Sequence, residues 1–237
     1  GLYAAADTRI SAPMLSRHHP ERMLSALGVP LQTSGSRVAL VPRQFGGELD
    51  AFELAVPGDL SAAAFVLAAA AMVPGSEVSV ARVGTNPTRG GFMDALRMMG
   101  ADLGTQPLGD ELGEPLAHLA CHHRALSGIP VGGELVLRAI DEIPVLCALA
   151  ATAQGTTRIT DAHELRVKES DRLAAMARVL RAFGVTVEEL ADGLVIEGRS
   201  GAPLAPATVS AEGDHRVAMS AALLGLVASG PSRVLGV

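Results

Sequence analysis

The stretch Asp141-Glu-Ile-Pro-Val-Leu-Cys-Ala-Leu-Ala-Ala-Thr-Ala-Gln-Gly155, followed directly by Thr156-Thr-Arg-Ile-Thr160, decides the fold. It opens on an acid, runs apolar nearly all round, and stops at a glycine before a short β-like run. A helix without a polar face must be surrounded by protein. The same order occurs twice more. Asp59-Leu-Ser-Ala leads through an apolar run to Gly75 and Ser-Glu-Val-Ser-Val-Ala-Arg-Val. Asp214-His-Arg-Val leads to Gly230 and Pro-Ser-Arg-Val-Leu-Gly-Val. The three glycines recur at intervals of 80 and 75 residues. Self-similarity at such a period marks a chain built from repeated units.

A second signature interleaves with the first. Ala-Leu-Gly28-Val, Met-Met-Gly100-Ala and Ala-Phe-Gly184-Val each close a more polar helix, with the glycine as its left-handed terminal residue. After Gly184, the runs 185–188 and 193–197 flank Ala191-Asp192-Gly193, a hairpin signal. Each unit therefore reads helix, strand, helix, strand, strand. The helices expected at 62–73, 143–153 and 217–228 are the buried ones. Those at 17–27, 90–99 and 168–183 are amphipathic and face outward. Residues 104–117 and 199–207 read as loops. Residues 1–57 carry an incomplete unit, and Val56-Pro57-Gly58 is the crossing point into a new domain.

Composition narrows the function classes. Hydrophobic residues make up 49% of the 237, aromatics only 3%, and Trp is absent, so small side chains must fill the core. The net charge of −6 argues against a general nucleic-acid binder. The apolar runs 62–73 and 217–229 are too short for membrane spans. Cys121 and Cys147 have no CxxC spacing, which suggests neither a disulfide framework nor a zinc site and fits a reducing cytoplasm. The chain begins at Gly1 without Met and stops at Val237 inside a strand-like run, which reads as a piece of a longer protein.

Chemistry gathers in two places. Glu164-Leu-Arg166-Val-Lys168-Glu169-Ser-Asp171-Arg172 holds six charged side chains in nine residues, between a strand and a helix. With the helix starting near Lys168, Lys168 and Arg172 share a face with Glu169 beside them. Such a set can hold a small anion and move a proton; the plainer reading is a solvated helix start. Asp214-His215-Arg216 opens an apolar helix, with Asp214 as cap and two cations at the positive helix end, an arrangement that favours an anion. By register with Asp59 and Asp214, Asp141 reads as a cap. Arg17-His18-His19 could bind phosphate or form a surface loop. Adjacent Cys121, His122 and His123 point to opposite strand faces, which speaks against a metal site.

Taken together, these segments resemble the 5-enolpyruvylshikimate-3-phosphate synthase family. Arg166-Val-Lys168-Glu169-Ser-Asp171-Arg172 and Asp214-His215-Arg216-Val-Ala-Met219 are similar to its two strongest signatures, and Asp141 matches its catalytic aspartate. Pro57-Gly58-Asp59 and Asn86-Pro-Thr-Arg89 fit as well. The resemblance implies an α/β (α+β) fold of repeated βαβαββ units, an inside-out α/β barrel with buried parallel helices and small outer sheets. It implies that residues 1–57 end the first domain and that 58–237 form the second domain without its last segment. The implied reaction transfers the enolpyruvyl group of phosphoenolpyruvate to the 5-hydroxyl of shikimate 3-phosphate, without cofactor or metal. By the resemblance, Asp141 deprotonates the hydroxyl, Lys168 contacts shikimate 3-phosphate, and Glu169 moves the proton at the methylene carbon. Arg172 and Arg216 hold the phosphoenolpyruvate carboxylate with His215 beside them. Ser16, His19 and Glu164 line the substrate pocket. The implied protein is a cytoplasmic monomer when complete, with no nucleic-acid or membrane partner. It needs the missing N-terminal part of the same enzyme, so this chain alone is expected to be inactive. The related transferase acting on UDP-N-acetylglucosamine and a non-catalytic binding paralogue are the competing readings.

Overall fold

A computed structural model of the chain describes residues 1–13 and 17–237. The first unit holds β1 (Thr8–Ser11), α1 (His19–Ala26), β2 (Leu31–Ser34) and β3 (Arg37–Leu40). Its antiparallel sheet runs in the order β1-β3-β2. Residues 46–57 form neither helix nor strand.

Three further units follow, and each buried helix joins two parallel strand segments. In the second unit Gly58 bridges in parallel to Val83 across α2 (Leu60–Met72). Next come β4 (Glu77–Gly84), α3 (Gly91–Met98), β5 (Asp102–Glu111) and β6 (Glu114–His122). The third unit is the complete one: β7 (Pro130–Val131), α4 (Glu134–Ala139), α5 (Ile143–Thr152), β8 (Thr156–Ile159), α6 (Arg172–Ala182), β9 (Thr186–Leu190) and β10 (Gly193–Glu197). Its sheet order is β7-β8-β10-β9, with β7 and β8 parallel. The last unit is the parallel pair β11 (Thr208–Ser210) and β12 (Arg233–Leu235) around α7 (His215–Leu226). The fold is α/β, with the apolar helices inside and the small sheets outside.

The interleaved signature is one motif made three times. Val29, Ala101 and Val185 donate their backbone N–H to Leu24, Leu96 and Leu180, while Gly28, Gly100 and Gly184 donate to Ser25, Arg97 and Arg181. This paired closure needs a left-handed residue at the glycine, whose φ is 80°, 88° and 79° in turn.

Three expectations need correction. Residues 104–117 are not a loop: they belong to the β5–β6 ladder, which pairs Asp102 with His122 through to Glu111 with Glu114. Pro107 and Gly109, which read as breakers, are absorbed by an irregularity on an edge strand, where a missing donor costs little. The last polar helix starts at Arg172 rather than 168, because the Asp171 side chain accepts from Ala174 N–H and so fixes the cap. His163–Val167 forms a separate 3-10 turn. Third, complete enclosure holds only for α5, whose residues 143–151 are all buried. It packs against α2, α6 and α7. α2 leaves Ala62 and Val66 exposed, and α7 leaves Met219, Ala222 and Leu226. Among the described residues no element covers those strips.

Candidate active site

All the buried helices begin at one end of the molecule, and acids stand at their starts. Asp59 accepts from Ser61 and Ala62 N–H, and Asp214 from Arg216 and Val217 N–H, so both are caps. Asp141 is not. It lies in a 3-10 turn one residue before the N-cap of α5, Glu142, and neither side chain caps the helix. Freed from capping, the part-buried Asp141 carboxylate pairs with Arg17 and lies 3.9 Å from Arg172 Nη1. Its own carbonyl accepts from Arg216 Nη1 at 2.7 Å. Burial pushes the Asp141 carboxyl upward. The hydrogen bond and charge of Arg17, with the charges of Arg216 and Lys168, outweigh that and hold it below the usual carboxylate range.

Arg172 is 1% exposed. It donates Nε to Asp214 Oδ2 at 2.8 Å and Nη2 to Glu169 Oε2 at 2.5 Å. A buried guanidinium needs such partners, since an unpaired charge in the interior costs several kcal/mol. Asp214, itself buried, would be driven upward by desolvation. The hydrogen bond and charge of Arg172, the Arg216 N–H and Ser170 Oγ keep it ionised and below its ordinary value. Lys168 pairs with Glu164 rather than stacking under Arg172, as the later helix start requires. The loop carrying both is fastened by Arg166, which donates to the carbonyls of Ala191 at 2.7 Å and Leu190 at 2.6 Å and to Asp171 and Glu189.

The arrangement thus brings Asp141, Arg172, Arg216 and Glu169 together, with Lys168 within electrostatic reach of Asp141. His215 follows the α7 cap and is exposed. His19 lies apart from this cluster: its Nδ1 is 2.9 Å from Glu114 and 3.2 Å from Asn86. It opens on a cleft of about 240 Å³ that also holds Asp59 and Arg89. Ser16 lies outside the described residues. Sequence reasoning missed Arg17 as a partner of Asp141. It also missed buried Glu142 and Ser61, and that the part-buried Arg89 of Asn86-Pro-Thr-Arg89 joins them; the only sequence signal for Glu142 and Ser61 was their closeness to Asp141 and Asp59. Three concavities of about 560, 660 and 810 Å³ are lined chiefly by residues 1–47 and hold none of the charged cluster. Converging charge, not cavity size, marks the site. Burial raises the thiols of Cys121 and Cys147 to about 11 and about 12, so both stay protonated. Among the described residues no group of three His, Cys, Asp or Glu could hold a metal ion, and no helix is long and apolar enough to cross a membrane.

Known proteins similar to this chain fall in one family of enolpyruvyl transferases. The family model for EPSP synthase (3-phosphoshikimate 1-carboxyvinyltransferase) matches residues 1–237. A 3-phosphoshikimate 1-carboxyvinyltransferase of Geobacter sulfurreducens is 51% identical over 231 residues, covering 97% of this chain and 52% of the relative. One from a Synechococcus species is 47% identical over 239 residues, covering 99% and 54%. An EPSP synthase structure from Acinetobacter baumannii superposes with a TM-score of 0.93 at 40% identity, covering all of this chain and 54% of that one. The enolpyruvyl transferase NikO of Streptomyces tendae shares the fold at a TM-score of 0.70 and 20% identity, over 97% and 50% of the two chains. The chain spans about half the length of the curated relatives it matches.

Proposed function

The chain belongs to the EPSP synthase family, and from that premise we propose that it forms part of an enzyme that transfers the enolpyruvyl group of phosphoenolpyruvate to the 5-hydroxyl of shikimate 3-phosphate. In this reading residues 1–57 end the first domain and residues 58–237 make most of the second, with the two substrates bound between the domains. The complete enzyme is a cytoplasmic monomer.

The observation that carries the reading is the meeting of Asp141, Arg172 and Arg216 at the starts of α5, α6 and α7. Each group has a task there. The 5-hydroxyl oxygen bonds to C2 of phosphoenolpyruvate as its proton passes to Asp141, whose neighbouring cations keep it ionised and able to accept. The methylene carbon takes a proton from Glu169, and a tetrahedral adduct forms. The new methyl group then returns a proton to Glu169, the carbon–carbon double bond re-forms, and the bond to phosphate breaks, the phosphate leaving with the proton that Asp141 had taken from the hydroxyl. Arg172 and Arg216 receive the phosphoenolpyruvate carboxylate, with His215 beside them. Arg172 is edged by Glu169 at 2.5 Å, so the incoming carboxylate takes over that edge while Glu169 turns to the methylene. Lys168 contacts shikimate 3-phosphate, with Glu164, His19 and Ser16 lining the pocket. Preorganised cations of this kind stabilise the charge that moves onto the departing phosphate.

The test is phosphate release by the full-length protein from phosphoenolpyruvate in the presence of shikimate 3-phosphate, with UDP-N-acetylglucosamine as the alternative acceptor. Turnover only with shikimate 3-phosphate is expected. Turnover only with the nucleotide sugar, or with neither acceptor, overturns the reading.

A further inference from the structure

Glu142 is the most deeply buried carboxylate of the chain after Asp214, at 1% exposure. It sits at the N-cap of α5, where a carboxylate ordinarily accepts from the amides of its own helix. Here it makes no such bond. Pro144 in the first turn removes one of the donors it could have used. The carboxylate turns inward instead. Its Oε1 accepts from Ser61 Oγ at the start of α2 and from Arg89 Nη2 at 3.4 Å, and it lies 3.8 Å from Arg216 Nη1. Arg89 also donates to Ser61 and stands 3.9 Å from Asp59. One buried acid therefore joins the starts of α2, α5 and α7 and the turn before α3.

The contact with Arg216 is the informative one. The guanidinium Nη1 that faces Glu142 is the same nitrogen that donates to the Asp141 carbonyl at 2.7 Å. Its position is therefore fixed from two sides, by a backbone acceptor and by a buried negative charge. A long arginine side chain without those partners samples many rotamers, and each must be given up when an anion binds. We propose that Glu142 is a positioning residue, held by Ser61 and Arg89, that fixes the Arg216 guanidinium for the carboxylate of phosphoenolpyruvate. This rests on the reading that Arg216 receives that carboxylate. Glu142 itself is 1% exposed and touches no reacting atom. The role differs from simple scaffolding, because it predicts an effect confined to one of the two substrates.

The experiment is steady-state kinetics of the full-length enzyme carrying Glu142→Gln, beside the unsubstituted enzyme. Gln keeps the shape and the acceptor for Ser61 but removes the charge. The expected result is a KM for phosphoenolpyruvate raised about tenfold, with kcat and the KM for shikimate 3-phosphate each changed less than about threefold. Ser61→Ala, which keeps the charge but loosens its support, should raise the same KM by about two- to threefold and leave the melting temperature nearly unchanged. Equal rises in both KM values, or an unchanged KM for phosphoenolpyruvate, overturn the proposal. Should Glu142→Gln fail to fold, Ser61→Ala decides by the same split. If the unsubstituted enzyme shows no turnover with these substrates, it is the proposed function that fails. The inference then loses its basis and is withdrawn with it.

Discussion

Of the two adjacent carboxylates before α5, Asp141 faces Arg17 and Arg172 while Glu142 faces the interior, and their chemistry follows from that difference. The role proposed for Asp141 as proton acceptor predicts that Asp141→Asn in the full-length enzyme lowers kcat by about 10²- to 10⁴-fold with little change in melting temperature; a near-normal kcat would remove it from the reaction. Asp214 makes a different prediction. Its folded-state pKa lies below the ordinary value. It therefore adds stability that is present above the unfolded pKa of about 3.9 and is lost as pH falls through the folded value. Asp214→Asn also leaves the buried Arg172 short of a partner, so a loss of about 3–5 kcal/mol is expected at pH 7. That deficit should shrink when urea unfolding is repeated near pH 3. A deficit of the same size at both pH values contradicts the assignment. The caps Asp59 and Asp214 were legible in the sequence because a cap bonds within three residues of itself. The partners of Asp141, namely Arg17 on a distant loop and the Arg216 guanidinium, were not legible from spacing. Nothing local fixes a contact across 124 residues, and only the resemblance to a known family set Asp141 apart from a cap.

At the scale of elements, helix identity was readable wherever pattern and punctuation agreed. α5 was recognisable because residues 143–151 are all apolar and a glycine follows at 155. The β5–β6 ladder was missed because its strands are polar on one side and carry Pro107 and Gly109, so pairing with neighbours overrides local propensity. Two substitutions test the packing. Leu149, 0% exposed at the centre of α5, should cost about 2–5 kcal/mol in denaturant unfolding as Leu149→Ala, since α2, α6 and α7 cannot all collapse onto the gap. Gly193 opens β10 with space for no side chain: a Cβ there would stand 1.9 Å from the Ile159 carbonyl oxygen. Gly193→Ala should therefore push β10 off β8 at a cost of about 1–3 kcal/mol. The shift should reach the site as well, because the adjoining Leu190 and Ala191 carbonyls hold Arg166 and with it the loop of Lys168 and Glu169. A variant that melts like the parent and keeps full activity would show that the hairpin does not support that loop.

Over the whole molecule, stability is distributed very unevenly, and the distribution follows the repeat. In residues 1–57 only Val29 and Leu40 are buried hydrophobics among the described residues, whereas α5 alone buries nine residues. The first unit meets the rest chiefly through polar contacts: Arg17 with Asp141, His19 with Glu114, and Arg22 with the Gly113 carbonyl at 2.9 Å. A partly exposed ion pair such as Arg17–Asp141 contributes about 0–1 kcal/mol, and hydrogen bonds such as the other two contribute about 0.5–1.5 kcal/mol each. Burial of small apolar side chains around α5 contributes far more, at about 0.8 kcal/mol per CH₂. The two parts should then open separately, the first unit at a small fraction of the free energy needed to unfold the helical core. Native-state hydrogen exchange on this chain measures the difference directly. Amides of β2 and β3 are expected to exchange through local opening that is insensitive to low denaturant, while those of residues 146–150 exchange only through global unfolding. The polar bridge makes the prediction sharper. Raising the salt from low ionic strength toward 1 M screens Arg17–Asp141, so it should speed exchange in the first unit and leave α5 unaffected. Matching protection in both regions, or a common salt response, would mean that the chain folds as one cooperative body.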